Sequence, residues 1–160
     1  MMELTAATLA ATEVLAARVA RSLFVRRTLI YVASSRQVTA PADGVLVIRV
    51  LGAGGSGATA SWHAQQKETE KSGATGGSAG TVGMRCVPVK KGDVFTVALG
   101  AGGESVITQG SPGRDGGATT ITGPGVNINV PGASGGITGA QAGQQNAPTP
   151  APQGLDWHLA

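Results

Sequence analysis

Ring side chains are scarce in this 160-residue sequence: Phe24, Tyr31, Trp62, Phe95 and Trp157 are the whole supply. A core with so few of them is thin. A thin core beside much glycine backbone calls for a partner chain to bury enough apolar surface. Cysteine is nearly absent too. The single Cys86 excludes an internal disulfide, and with it a disulfide-stapled scaffold. Its setting, Met84-Arg85-Cys86-Val87-Pro88-Val89, reads as a strand and predicts a packed thiol in preference to a reactive one. No uninterrupted apolar run approaches the roughly 20 residues that cross a bilayer, so membrane insertion is not expected. The first residues lack a basic stretch, and Glu3 and Glu13 break any apolar one, which does not fit a signal peptide. The net charge of +3 rests largely on Arg18, Arg21, Arg26 and Arg27. A dense basic face interleaved with aromatics is missing, so nucleic acid is not an expected partner.

Glycine fills the space that rings and charges leave. There are 26 Gly and 8 Pro, about a fifth of the chain, without the strict Gly-X-Y period of collagen. The chain is organised around a unit written twice. Ala42–Leu51 is a turn signal and an apolar β-type run that changes abruptly into Gly52-Ala-Gly54-Gly55-Ser-Gly57. Lys91–Leu99 repeats the pattern and changes into Gly100-Ala-Gly102-Gly103, so that Leu-Gly-Ala-Gly-Gly stands identically at 51–55 and 99–103. Each copy reads as a strand feeding a glycine loop.

In chain order, Glu3–Val25 is the one helical stretch. It is rich in Ala and free of Gly and Pro, with Leu9, Ala16, Val19 and Leu23 on one stripe and arginines toward its C-terminal end. A second stripe through Leu4, Ala11, Leu15 and Ser22 predicts packing against copies of itself or docking into a host assembly, with cover for one face of its own β domain as the alternative. Thr28–Val32 reads as a β-type run, Val38–Gly44 as a turn, and Val45–Leu51 as a main strand covered on both faces, one by the core and one by a neighbour. Gly52–Gly83 is a long loop with a polar centre at Trp62–Ser72. Its length means that it carries function or makes contacts. Thr81–Val89 is the second main strand, with Pro88 at an edge or at its end. Lys90–Asp93 is expected to join it as a hairpin to Val94–Leu99. A further glycine loop, Gly100–Gly117, contains Gly116 and Gly117. Then come a short strand at Ala118–Thr122, a Gly-Pro-Gly turn, and Val126–Val130, whose clean alternation predicts a half-buried strand. Pro131–Gly139 is a third glycine segment. Residues 140–153 read as a Pro/Gln-rich linker, ahead of a terminal peptide whose Leu155, Trp157 and Leu159 are candidate anchors, either for docking on another surface or for folding back on this domain.

Chemistry finds little to stand on. Gly52-Ala-Gly54-Gly-Ser-Gly57 matches the dinucleotide fingerprint after an apolar strand, but no carboxylate closes a downstream strand at the expected distance. The P-loop pattern fails because Glu70 precedes Lys71. His63 and His158 lack partners at metal-ligand spacing, and no nucleophile elbow sits between a strand and a helix. No catalytic residue, metal site or cofactor is assigned, and an enzyme is not expected.

Long glycine tracts are either disordered or held by dense backbone contacts. Here Ala, Ser and Thr punctuate them, small enough for extended segments to pack side by side and satisfy N–H and C=O groups between segments, in collagen-like geometry, with almost no side-chain core. Such a surface offers backbone and small polar groups, suited to carbohydrate or to another protein.

The order of motifs over residues 28–139 is strand-Gly-Ala-Gly-Gly, polar excursion, Gly-Gly-Ser-Ala-Gly, and Val-Pro-Val-x-x-Gly-Asp-x-Phe-Thr-Val. Gly-Ala-Gly-Gly and Gly-Arg-Asp-Gly-Gly-Ala-Thr-Thr then follow. This order resembles the glycine-rich domains of tailed-bacteriophage tail-fibre and tail-tip proteins. The resemblance implies a mainly β protein, a small antiparallel β-sandwich with glycine loops at one end, assembled into a virion as trimers and displaying its loops to a host receptor. The chain departs from that pattern in shorter glycine runs, in the charged Lys67–Lys71 insert, and in an Ala-rich helix where a long shaft would stand. The expected organisation is an oligomerising or anchoring helix at 1–26, a β domain at 27–139, and the linker with its docking peptide at 140–160. Gly52, Gly54, Gly55, Gly57, Gly76, Gly77, Gly100, Gly102, Gly103, Gly116 and Gly117 are the candidate display residues. The expected partners are further copies of the chain, other virion proteins, and carbohydrate or protein of a host surface. The expected location is the virion, at the tail. A capsid-decorating or cell-surface binding module is the alternative reading, and a small nucleotide-binding enzyme the third.

Overall fold

A computed structural model describes residues 28–60, 73–140 and 145–159. The chain divides into two compact units, Met1–Tyr31 and Val32–Ala160. Of the first unit only residues 28–31 are described, and they form neither helix nor strand. The predicted helix, with Leu9, Ala16, Val19 and Leu23, lies outside the described residues, as does the polar centre at Trp62–Ser72.

The second unit is mainly β, with antiparallel pairing throughout and no helix among the described residues. One sheet has the order β1 (Arg36–Thr39), β5 (Val94–Ala98), β6 (Thr119–Gly123), β7 (Val126–Val130). A second has the order β2 (Gly44–Leu51), β4 (Val82–Val89), β9 (Trp157–Leu159), and a short irregular pair joins β3 (Gly73–Ala74) to β8 (Thr138–Ala140). The inner faces of the two larger sheets share one apolar cluster. Phe95, Val97, Ile121, Val126, Ile128 and Val130 come from the first sheet, and Val50 and Val87 from the second, with Leu46 and Ile48 packed against them. Strand β7 shows the predicted alternation in full: Val126, Ile128 and Val130 are buried, while Asn127 and Asn129 are exposed. It returns from β6 through Pro124-Gly125, where the glycine takes a φ of +68° that a side chain would resist.

Three expectations are overturned. The predicted hairpin between Thr81–Val89 and Val94–Leu99 does not pair. The turn forms, with Asp93 N–H donating to Lys90 O at 3.0 Å and Lys90 N–H to the Asp93 carboxylate at 2.8 Å. Its arms then part, because β4 takes β2 as partner over eight residues whereas β5 pairs with β1 and β6. Ala40 captures the turn, accepting from Gly92 and donating to Asp93, and so extends the β1–β5 ladder. The β-type run at Thr28–Val32 is not a strand; the chain enters its sheet later, at Arg36. Cys86 is exposed, not packed, because alternation along β4 turns it to the outer face opposite Val47.

Of the strand expected to be covered on both faces, this chain covers the core side. Leu46, Ile48 and Val50 face the core, but Val45, Val47 and Leu51 stand in solvent at 70%, 51% and 66% exposure. Pro88 sits in β4 opposite Val45, beyond the stretch Val82–Met84 where β9 pairs, so its missing N–H leaves no ladder bond broken on that side.

Candidate functional site: a three-residue lattice of glycine segments

After β2, β5 and β7 and ahead of β4 and β6, the chain runs as five side-chain-poor segments, at residues 52–60, 75–81, 100–103, 110–117 and 131–137. They are joined by backbone hydrogen bonds spaced three residues apart. From the first segment, Gly52, Gly55 and Ala58 donate to Thr81, Ser78 and Thr75 of the second, at 2.8, 3.1 and 3.0 Å. Ser56 and Thr59 donate to Arg114 and Ser111 of the fourth. Ala133 and Gly136 of the fifth donate to Ala53 and Ser56, and Gly103 of the third donates to Gly54. The outer segments bond one another with the same stride: Thr75 and Ser78 to Ile137 and Ser134, and Gly113 and Gly116 to Gly136 and Ala133. The first segment is thus the axis, bonded to all four others. A stride of three is that of the polyproline II helix, which makes no internal hydrogen bonds and so turns every N–H and C=O outward to neighbours. At about 3.1 Å per residue the axis runs for about 25 Å.

This arrangement explains the glycines by room. None of those at 52–57, 76–80, 100–103, 113–117 and 132–136 has a positive φ. A Cβ at Gly55, Gly77, Gly100, Gly103 or Gly116 would come closer than 3.0 Å to another segment, usually to its carbonyl, and one at Gly52 would meet a Val130 methyl of β7 at 2.9 Å. Gly54, Gly57, Gly76 and Gly102 behave otherwise. Their Cβ would meet nothing nearer than 3.4 Å, and at Gly76 nothing within 4 Å; Gly117 is intermediate at 3.1 Å. The predicted display set therefore divides into glycines closed against their neighbours and glycines open to substitution. Sequence reasoning missed Gly80, Gly113, Gly132, Gly135 and Gly136, which are equally closed. The signal was there in the spacing, since Gly77/Gly80, Gly100/Gly103, Gly110/Gly113/Gly116 and Gly132/Gly135 step by three. Each run is too short for a chain-wide Gly-X-Y test to register.

Side chains lock the lattice at a few points. The Ser56 hydroxyl accepts from Arg114 N–H at 2.8 Å, the Asp115 carboxylate from Gly135 N–H at 2.8 Å, and the buried Thr119 hydroxyl from Gly100 N–H at 3.1 Å. The Thr59 hydroxyl reaches Thr108 O. Beyond the third segment lies the turn 104–109, in which Ile107 is 94% exposed.

The supposed linker is held down. Asn146 Nδ2 donates to Gly76 O at 2.8 Å and to Ser78 Oγ at 3.1 Å, while Thr75 Oγ1 donates to Asn146 Oδ1 at 2.6 Å and accepts from Ile137 N–H. An open cleft of about 590 Å³ runs between this segment and the second glycine segment, lined by Thr75, Ser78, Ala79 and residues 145–149. Its lining is uncharged hydroxyl, amide and methyl. Farther on, Gln153 exchanges both backbone hydrogen bonds with Asn129. Leu155 packs over Gly83, Trp157 is 53% exposed, and Leu159 lies on β9.

The dinucleotide reading meets a physical obstacle. The Gly52, Gly55 and Ser56 N–H groups, which a pyrophosphate would need, are all donated to carbonyls inside the lattice. Among the described residues no cluster of three or more His, Cys, Asp or Glu could hold a metal, and no helix is long and apolar enough to cross a membrane. Comparison with family models, with curated proteins and with solved structures finds no match to this chain.

Proposed function

We propose that this chain is a non-enzymatic structural protein of a bacteriophage virion, a tail-fibre or tail-tip component. In this reading it is a small antiparallel β-sandwich with a glycine lattice at one end. A helix at the N-terminus anchors it in a homotrimer among other virion proteins. The observation that carries the reading is the lattice itself: five segments ordered by main-chain hydrogen bonds at a stride of three, with hardly any side chains between them. Such a body is shaped for rigidity and display, because its own polar backbone is consumed internally. The order of motifs that resembles phage fibre domains supports the same assignment.

In this reading the lattice leaves a limited set of residues for a partner. The closed glycines are committed to their neighbours, so contact with a host surface falls to the open positions, to the turn 104–109 and to the cleft beside Asn146. The neutral hydrogen-bonding groups of the cleft suit a carbohydrate. Gold-labelled antibody raised against the chain and applied to intact particles tests the proposal. Label concentrated at the tail tip is the expected result. Label on the head shell selects a capsid-decorating role instead, and particles without label overturn a virion role altogether.

A further inference from the structure

The C-terminal segment is a clasp with a seat of its own. Its contacts run from one sheet to the other: Gln153 bridges to Asn129 on β7, and β9 pairs with β4 through Val82–Leu159, Gly83–His158 and Met84–Trp157. Between those two points Leu155 enters the apolar cluster over Gly83, where a Cβ would overlap its Cδ1. Asp156 closes the seat. Its carboxylate accepts from Cys86 N–H at 2.7 Å and pairs with Arg85 at 3.1 Å, and its N–H donates to Met84 O at 2.9 Å. The seat therefore reads an extended peptide by main-chain pairing, with a notch for leucine and a clamp for the aspartate after it, which is recognition by strand addition.

We propose that this seat exchanges clasps between copies: Gln153–Leu159 of one copy docks between β4 and β7 of a second. Three features point to another copy of the chain. The seat is fitted to this chain's own Leu155-Asp156, so an identical copy supplies the matching peptide with no new contact to evolve. Residues 145–152 rest on the lattice chiefly through the Asn146 amide, so the stretch leading to the clasp can lift away and carry it to a second copy's seat, where the bonds it gives up re-form. The outer face beside the seat leaves Leu51, Val82 and Trp157 at 66%, 42% and 53% exposure, and an arriving neighbour would cover that apolar ground. The inference stands on the seat alone and does not require a place in a virion.

Full-length protein carrying Gly83→Cys and Leu155→Cys, with Cys86→Ala to remove the native thiol, tests it. A notch this close to its occupant brings the two new thiols within disulfide range. Oxidised across a concentration series and run without reductant, the variant is expected to give covalent dimers and higher species that grow with concentration. Only intramolecular closure at every concentration, read as a faster-migrating monomer, overturns exchange. No cross-link of either kind overturns the seat as described. Light scattering of the Leu155→Asp variant gives an independent reading. The expected result is loss of association with β-sheet circular dichroism retained, and unchanged association argues against the clasp as the joint.

Discussion

At Gly132 a single methyl group would fall on the Gly116 carbonyl, and every atom it would overlap is main chain, with no side chain to move aside. Gly132→Ala is expected to cost about 3 kcal/mol or more, because the overlap is with main chain. Gly76→Ala meets nothing within 4 Å and keeps an ordinary φ, so it should be neutral or add up to about 1 kcal/mol by restricting the unfolded chain. Urea unfolding of the two variants side by side checks the contrast, and equal effects would remove the lattice explanation. Thr81 makes a second residue-level case. It is 1% exposed, and its hydroxyl has no hydrogen-bond partner among the described residues. Thr81→Val keeps the shape and removes a buried unsatisfied group, so a gain of about 1 kcal/mol, seen as a raised midpoint, is expected.

Among the elements, Asn146 holds a stretch with no apolar anchor of its own. Asn146→Ala removes three hydrogen bonds and leaves Thr75 Oγ1 without its acceptor. Local opening of residues 145–152 should become easier by about 1–3 kcal/mol, while β5–β7 keep their protection. Hydrogen exchange read peptide by peptide checks this, and a uniform loss across the domain would contradict it. The same residue shows where the sequence was legible and where it was not. Strand β7 could be read because burial alternates with the pleat, and β2 and β5 because their apolar runs end in glycine. The partner of each strand could not, since a turn such as Lys90–Asp93 forms locally whether its arms pair or part. The hold on Asn146 was invisible for a similar reason. One amide in a Gln-Ala-Pro stretch carries no pattern, and its partners lie some 70 residues away. The collagen-like packing of the glycine tracts was legible as a principle; which glycines are closed was not, because that depends on the neighbours.

For the whole of the second unit, the decisive question is whether the lattice stands by itself. Glycine loses more conformational freedom on ordering than any other residue, and the lattice buries little apolar surface to offset that loss. Its hydrogen bonds replace bonds to water and add modestly to stability. Its segments are positioned because they continue strands: residues 52–60 continue β2, residues 75–81 lead into β4, and residues 131–137 follow β7. The ordering therefore comes from the shared apolar cluster, where Ile128 and Val130 are fully buried. Ile128→Ala should cost about 2–5 kcal/mol through lost burial and the cavity left behind. If the lattice depends on the sheets, the Gly55, Gly113 and Gly136 amides lose protection in step with those of β6 and β7, and thermal unfolding stays a single transition. Lattice amides that outlast the strands in exchange, or a second transition at higher temperature, would mean that main-chain hydrogen bonding alone sustains the glycine segments.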